Sequence, residues 1–187
     1  IGAYQAANAL VSAGIAAASG VAMTDVLSHL SRLQPVRGRL ERAAISRTGA
    51  PAYVDYAHTP DAIVAACAAL RPHVKGRLIT VFGAGGDRDK GKRPEMAKAA
   101  EAHSDIVIVT DDNPRHEDPA AIRAEVMAGA KHAVEVADRR SAIAHAVAMS
   151  GKDDIILIAG KGHEQGQIVG DKILPFDNVQ VTRECAA

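Results

Sequence analysis

The chain has 187 residues, 48% of them apolar, and its 22 Lys+Arg balance 22 Asp+Glu. That suits one substantial domain, or one domain and a piece of another, and makes disorder the wrong expectation. The neutral balance gives no case for non-specific attraction to nucleic acid or an anionic membrane, and three Tyr, two Phe and no Trp leave few platforms for stacking bases.

In chain order, Ala3 to Ser19 predicts a packed helix. It is apolar for most of its length, yet it lacks a basic leader and carries Gln5, Asn8 and Ser12, so it does not read as a signal segment. Thr24 to Leu33 predicts a second helix, with Gly20 as the stop between the two and Thr24 as N-cap. The chain opens at Ile1 rather than Met, inside a helical pattern, and is expected to be a piece of a longer protein. Pro35 marks a boundary between residues 1–34 and 35–187, after which Gly38 to Ile45 predicts an extended segment.

From Tyr53 onward the pattern alternates strand and helix, as in a mostly parallel sheet with covering helices. Tyr53 to Tyr56, Leu78 to Phe82, Ile106 to Thr110 and Ile155 to Ala159 are short apolar runs, the last three rich in β-branched residues as expected of strands buried on both faces. A fifth strand is predicted at Ala133 to Val136. Helix starts are marked by Thr59 before Pro60, Asp118 before Pro119 and Asp138 before Arg139. In the Pro60 helix, Ile63, Val64, Cys67 and Leu70 share one face, which should cover the sheet. Gln167 to Val169 and Ile173 to Pro175 predict a hairpin turning at Gly170 and Asp171, and Asn178 to Ala187 a closing helix. Cys67 and Cys185 form neither a metal-ligand pair nor a disulfide framework by spacing, so a reducing cytoplasm is the simplest setting.

Each apolar run leads into a polar segment: DYAHTP (Asp55 to Pro60), GAGGDRDKGKRP (Gly83 to Pro94), DDNPR (Asp111 to Arg115) and GKGHE (Gly160 to Glu164). In an open parallel sheet the crevice outside the carboxyl ends of the strands is where ligands bind, so one shared active edge is expected. The glycines and the basic Arg88, Lys90, Lys92 and Arg93 suit close backbone approach to an anion. The segment matches neither a Walker A loop nor GxGxxG, and by itself it also fits a surface loop. In DDNPR, Asp111, Asp112 and Arg115 can grip a zwitterion, the guanidinium taking a carboxylate and an acid taking an ammonium. The competing reading is a self-satisfied turn in which Arg115 pairs with Asp111 or Glu117. GKGHE reads as a small anion nest with Lys161, or as an acid/base pair of His163 and Glu164, with His163 alone more simply an orienting group. No second His or Cys sits at zinc-ligand spacing from His163 and Glu164. His58 reads equally as a turn residue before Pro60 and as a contact to a ligand.

Taken in order, VRGRLE, DYAHTP, GAGGDRDKGKRP, TDDNPR and AGKGHE resemble the Mur ligases of peptidoglycan synthesis, in their meso-diaminopimelate-adding form. The likeness covers essentially the whole chain. It implies a Rossmann-like last domain at 35–187 that receives the incoming amino acid, preceded at 1–34 by the final helices of a central, P-loop-bearing domain. It implies ATP and Mg2+ as cofactors, with the metal's ligands mainly in the central domain, and UDP-N-acetylmuramoyl-L-alanyl-D-glutamate as the other substrate. By the same resemblance, Asn8 falls near the adenine, although Gln5 replaces a more usual asparagine; Arg39 reaches the ATP phosphates and Asp55 holds the ribose, the two expected catalytic positions; and His58 borders the nucleotide. Arg88, Asp112, Asn113, Arg115, Gly160 and Glu164 fall where the family holds diaminopimelate. Pro35 to Gly38 is the expected hinge for domain closure. The other readings are a related folylpolyglutamate or cyanophycin synthetase, a stand-alone amino-acid-binding module, and a redox dinucleotide enzyme, against which the missing GxGxxG speaks.

Overall fold

The structure, a computed structural model, describes residues 2–187. Two helices come first, α1 (Ala3–Ala18) and α2 (Met23–Leu30). Thr24 is not the cap of the second. The helix begins one residue earlier, with Ala22 in the cap position and no side-chain cap bond, and it ends at Leu30 rather than Leu33. The turn at Gly20, with φ +96, sets the entry geometry instead of a hydroxyl. Ala13 and Val26, the buried residues of this pair, belong to neither of the two core clusters that flank the sheet. Tyr4 is the residue of α1 that packs against one of those cores.

The remaining elements are β1 (Glu41–Ile45), β2 (Pro51–Val54), α3 (Pro60–Leu70), β3 (Leu78–Phe82), α4 (Lys92–His103), β4 (Ile106–Val109), α5 (Pro119–Met127), β5 (Val134–Glu135), α6 (Arg139–Met149), β6 (Ile155–Ile158), β7 (Gly166–Val169), β8 (Lys172–Pro175) and α7 (Asn178–Ala186). One 6-stranded sheet runs β1-β2-β6-β3-β4-β5, all neighbours parallel except the antiparallel β1 edge, and β7 pairs with β8 as a separate hairpin. The mostly parallel architecture is as the alternation predicts.

Strand period decides which residues face which helices. Tyr53, Leu78, Phe82, Val107, Val109, Ile155 and Leu157 pack under α3, α4 and α5, with Ile63, Cys67, Leu70 and Met96. Their neighbours Val54, Ile79, Val81, Ile108, Ile156 and Ile158 pack on the opposite face, with Ile143 of α6 and Val179 of α7. Each such side chain, fully buried, contributes on the order of 1.5–3 kcal/mol of transfer free energy. On α3, Val64 stays half-buried and Ala66 joins Ile63, Cys67 and Leu70 on the covered face. Thr59 accepts from the Ala62 N–H, Asp118 from Ala120 and Asp138 from Ser141, so all three capping residues act as their positions predict.

Register then places the site. Val54 lies beside Ile158, Ile158 beside Val81, and Phe82 beside Val109. The four strands therefore end level, and DYAHTP, GAGGDRDKGKRP, DDNPR and GKGHE leave the sheet side by side.

Candidate functional site

The four loops enclose a cavity of about 160 Å³. Arg88, Asp112, Asn113, Arg115, Gly160 and Glu164 all line it, and so does His58, which the resemblance places at the nucleotide. Lys92, one of the basic residues of the β3 loop, also lines it, as does Tyr56, which the sequence did not single out although it is one of only three tyrosines.

Both signs of charge line the cavity. Arg115 Nη1 donates to Gly86 O at 2.9 Å and to Asn113 O at 3.4 Å. Among the described residues no carboxylate pairs with it. Asp111 instead pairs with Arg123, and Glu117 with Arg93 at 2.8 Å and Lys90 at 3.1 Å, so the self-satisfied turn is not what forms. Arg115 itself has φ +52, held by its N–H on Ile168 O at 3.0 Å and its carbonyl under the Gly170 N–H at 2.6 Å. The β3 loop's cations separate by role. Arg93 is wholly buried on Glu117, Glu125 and Gly85 O, whereas Arg88 is exposed and Lys92 reaches His58 O at 3.3 Å. At Gly86 a Cβ would lie 1.9 Å from Pro114 O, so the anion-side loop and DDNPR touch through backbone.

The acids in the wall are Asp112 and Glu164. Asp112 is buried, accepts its neighbour's Asn113 N–H at 2.7 Å, and lies 3.8 Å from the Arg139 guanidinium. Asn113 Nδ2 donates to Glu164 Oε2 at 2.9 Å. Burial pushes the Glu164 carboxyl up, but the Asn113 amide and the Lys161 ammonium outweigh it and hold the group below its ordinary range. Lys161 does not form an anion nest, because its side chain is fully buried and donates to Asn113 Oδ1 and Glu164 Oε2. His163 and Glu164 form no hydrogen-bonded pair among the described residues; His163 is exposed and sits tilted 5.4 Å from the Tyr56 ring. Gly160, at φ +111, lets the loop pass Asp112, whose Oδ2 a Cβ would meet at 2.8 Å.

Two supports escaped the sequence. Arg139, buried at the start of α6, donates to Ala159 O at 2.8 Å, Asp111 O at 3.3 Å and Asn178 Oδ1 at 2.9 Å, tying two of the four loops to α7. Gln167 in β7 donates to Asp112 O at 2.7 Å. An arginine after a capping Asp reads as a helix start, and nothing local marks its distant partners.

The other residues assigned to the nucleotide are not among those lining this cavity. Asn8 and Arg39 line a second cavity of about 580 Å³ with Gln5, Pro35, Val36 and Arg42. Asp55 lines neither of these cavities and is 6% exposed, its oxygens accepting the Leu40 N–H at 2.7 Å and the Ala57 N–H at 2.8 Å. Burial pushes its carboxyl up, and those N–H bonds pull it back only in part. The same crowding drives the Tyr4 phenol up to about 12, with burial the larger cause and Asp55 the second. Gly38, at φ +68, packs where a Cβ would lie 2.2 Å from His163 N, so the chain leading in from Pro35 is interlocked with the GKGHE turn. Among the described residues no helix is long and apolar enough to cross a membrane.

Residues 38–162 of this open, mostly parallel sheet domain match the model of the Mur ligase, glutamate ligase domain family. The chain belongs to that family. It is 58% identical over 98% of its length to the UDP-N-acetylmuramoyl-L-alanyl-D-glutamate 2,6-diaminopimelate ligase of Zymomonas mobilis, and covers 39% of that protein. It is 54% identical over 100% of its length to the enzyme of the same name from Agrobacterium fabrum, covering 38% of it. A solved structure of a ligase bearing that name superposes with a TM-score of 0.77 at 36% identity, over 100% of this chain and 39% of the other. The chain thus spans well under half the length of the relatives it matches.

Proposed function

We propose that this chain is the acceptor-amino-acid part of an ATP-dependent ligase that adds meso-diaminopimelate to UDP-N-acetylmuramoyl-L-alanyl-D-glutamate. The carrying observation is that one cavity holds, among the described residues, an Arg115 guanidinium without a carboxylate partner and a Glu164 carboxylate with one oxygen, Oε1, left without a partner. One amino acid centre supplies the complement of both: a carboxylate for Arg115 and an ammonium for Glu164 and Asp112. Diaminopimelate ends in such a centre, whereas lysine ends in a bare ammonium. With lysine bound, Arg115 lacks its anion beside a ligand cation, a loss of roughly 2–5 kcal/mol in a desolvated site.

In the reaction, ATP phosphorylates the D-glutamyl carboxylate and releases ADP; the free amine of diaminopimelate then attacks the acyl phosphate, an amide forms and phosphate leaves. Arg39 and Asn8 are assigned to the nucleotide side, and His58, in the wall of the smaller cavity, to the edge of the nucleotide. Asp55, whose carboxylate is committed to backbone N–H groups, acts there by fixing the Leu40 and Ala57 backbone, whatever ribose contact it adds. Mg2+ is assigned to residues of the ligase outside this chain. Residues 1–34 are read as the last helices of the central domain, 35–187 as the acceptor domain, and Pro35 to Gly38 as the pivot between them. The chain by itself is then expected to bind the amino acid without forming product, in a cytoplasmic enzyme.

The test is a titration of the chain with meso-diaminopimelate and, separately, L-lysine, followed by backbone and side-chain NMR. Shifts at Arg88, Asn113, Arg115 and Glu164 with diaminopimelate alone support the reading. Equal responses to both ligands, or shifts elsewhere, overturn it.

A further inference from the structure

Lys161 is a fully buried cation that the reaction as described does not use. Its Nζ donates to Asn113 Oδ1 at 2.6 Å and to Glu164 Oε2 at 3.1 Å, and it stands 3.9 Å from Asp112 Oδ1. Asn113 Oδ1 also accepts the Ile168 N–H at 3.0 Å. With its oxygen committed to two donors, the amide has one orientation, and Nδ2 must point at Glu164 Oε2, which it meets at 2.9 Å. Two donors therefore occupy one oxygen of Glu164. The carboxylate is held at a fixed rotation, and Oε1, without a partner among the described residues, is what remains for a ligand.

We propose that Lys161 is a positioning residue of the acceptor site, a buried cation that orients the Asn113 amide and the Glu164 carboxylate so that a ligand ammonium meets one preset oxygen. This role rests on reading the cavity as an amino-acid site. Asp112 is drawn toward the same ammonium, so two acids can face the cavity without facing each other uncompensated. Asn113, whose oxygen is filled and whose Nδ2 spends one of its two hydrogens on Glu164, then serves the ligand by orienting Glu164 as well as from its own place in the cavity wall. Arg115 from the β4 loop and Arg139 from the start of α6 also bear on Glu164, and Asp112, Arg88, Lys92 and His58 stand in the same cavity wall.

The test compares the chain with its Lys161→Met variant, by calorimetric titration with meso-diaminopimelate from pH 5 to 8. Losing a charged hydrogen bond in a buried network is expected to weaken binding about 10- to 100-fold at pH 7. The acid limb of the affinity should also move up by about one pH unit, because Glu164 loses the ammonium that helps keep it ionised. A weaker variant whose acid limb stays put would mean that Lys161 only fills space, and equal affinities would mean that it does nothing for the site; either result overturns the proposal. Wild-type chain that fails to bind at millimolar ligand would overturn the reading of the cavity, and this role with it. If Lys161→Met does not fold, Lys161→Gln, which keeps an amide donor but no charge, carries the same comparison.

Discussion

The guanidinium carbon of Arg39 lies 4.6 Å from the centroid of the Tyr56 ring. The same ring meets His58 edge-on at 4.7 Å and His163 at 5.4 Å. Arg39 belongs to the larger cavity and Tyr56 to the smaller, so this one contact joins the two. A cation over an aromatic face is worth about 0.5–2 kcal/mol. Tyr56→Leu, which removes the face, is expected to raise KM for both ATP and diaminopimelate by about 3- to 10-fold in the ligase that carries this chain. Tyr56→Phe keeps the face and should stay near wild type; steady-state kinetics with each substrate varied in turn will tell.

Function and stability should come apart at Arg115. A side chain at φ +52 costs about 1–3 kcal/mol of backbone strain, which glycine escapes. Arg115→Gly therefore loses the guanidinium and its bond to Gly86 O while relieving strain, and is expected to melt within a few degrees of wild type. Diaminopimelate binding should nevertheless fall more than about 10-fold. Arg115→Ala keeps the strain and should bind as poorly while melting lower; thermal scans beside titrations separate the two.

His116 is a pH-dependent clasp at the lip of the cavity. Its Nδ1 meets Asp87 Oδ2 at 3.0 Å and its Nε2 meets Asp171 Oδ1 at 3.0 Å, linking the β3 loop to the turn of the β7–β8 hairpin. Asp171 and then Asp87 raise the imidazole above its ordinary 6.5, and His116 holds Asp87 below its own ordinary value. Because the folded value lies above the unfolded one, the clasp is complete below about pH 6.5 and is lost as pH rises through the folded value. Amide hydrogen exchange in the hairpin should accelerate, beyond its intrinsic pH dependence, as pH rises above the imidazole's ordinary 6.5. His116→Gln and high salt should both flatten that trend, since all three groups are exposed.

At the opposite end of the sheet, Asp154 accepts from the Arg77 N–H at 2.7 Å, the Gly151 N–H at 2.8 Å and the Arg77 guanidinium at 2.7 Å. Asp154→Ala strands these donors and is expected to cost about 2–3 kcal/mol, lowering Tm by several degrees without changing diaminopimelate affinity. Arg77 holds the carboxyl down at about 2, so its contribution is present above its ordinary 3.8 and fades as pH falls toward 2. Melting curves at pH 7 and pH 3 should show wild type and variant converging in acid.

Much of this was readable in the chain for physical reasons. Leu78–Phe82 and Ile155–Ile158 are buried on both faces, so their apolar runs are uninterrupted, and Thr59, Asp118 and Asp138 cap helices through bonds spanning two or three residues. The six residues assigned to the amino acid do line one cavity, because level strand ends bring four separate segments together. What stayed hidden depends on partners far along the chain. Arg88 and Arg93 look alike in sequence, yet one faces solvent and the other is buried on Glu117 and Glu125, more than twenty residues away. Lys161 resembled an anion-binding residue until Asn113, 48 positions earlier, proved to be its partner. Thr24 misled because a capping residue type was present where the chain reversal at Gly20 had already fixed the helix start.

The interlock of Gly38 with Gly162 and His163 has a mechanical meaning. The strand of chain that joins α2 to the sheet is keyed into the turn that carries Lys161 and Glu164, so it cannot swivel there like a loose tether. Any swing of the two leading helices is taken up before Gly38, and its torque is delivered to the acid wall of the cavity first. A relative with a bulkier residue at this position would have to part the joint, and the grip on a ligand ammonium would loosen with it.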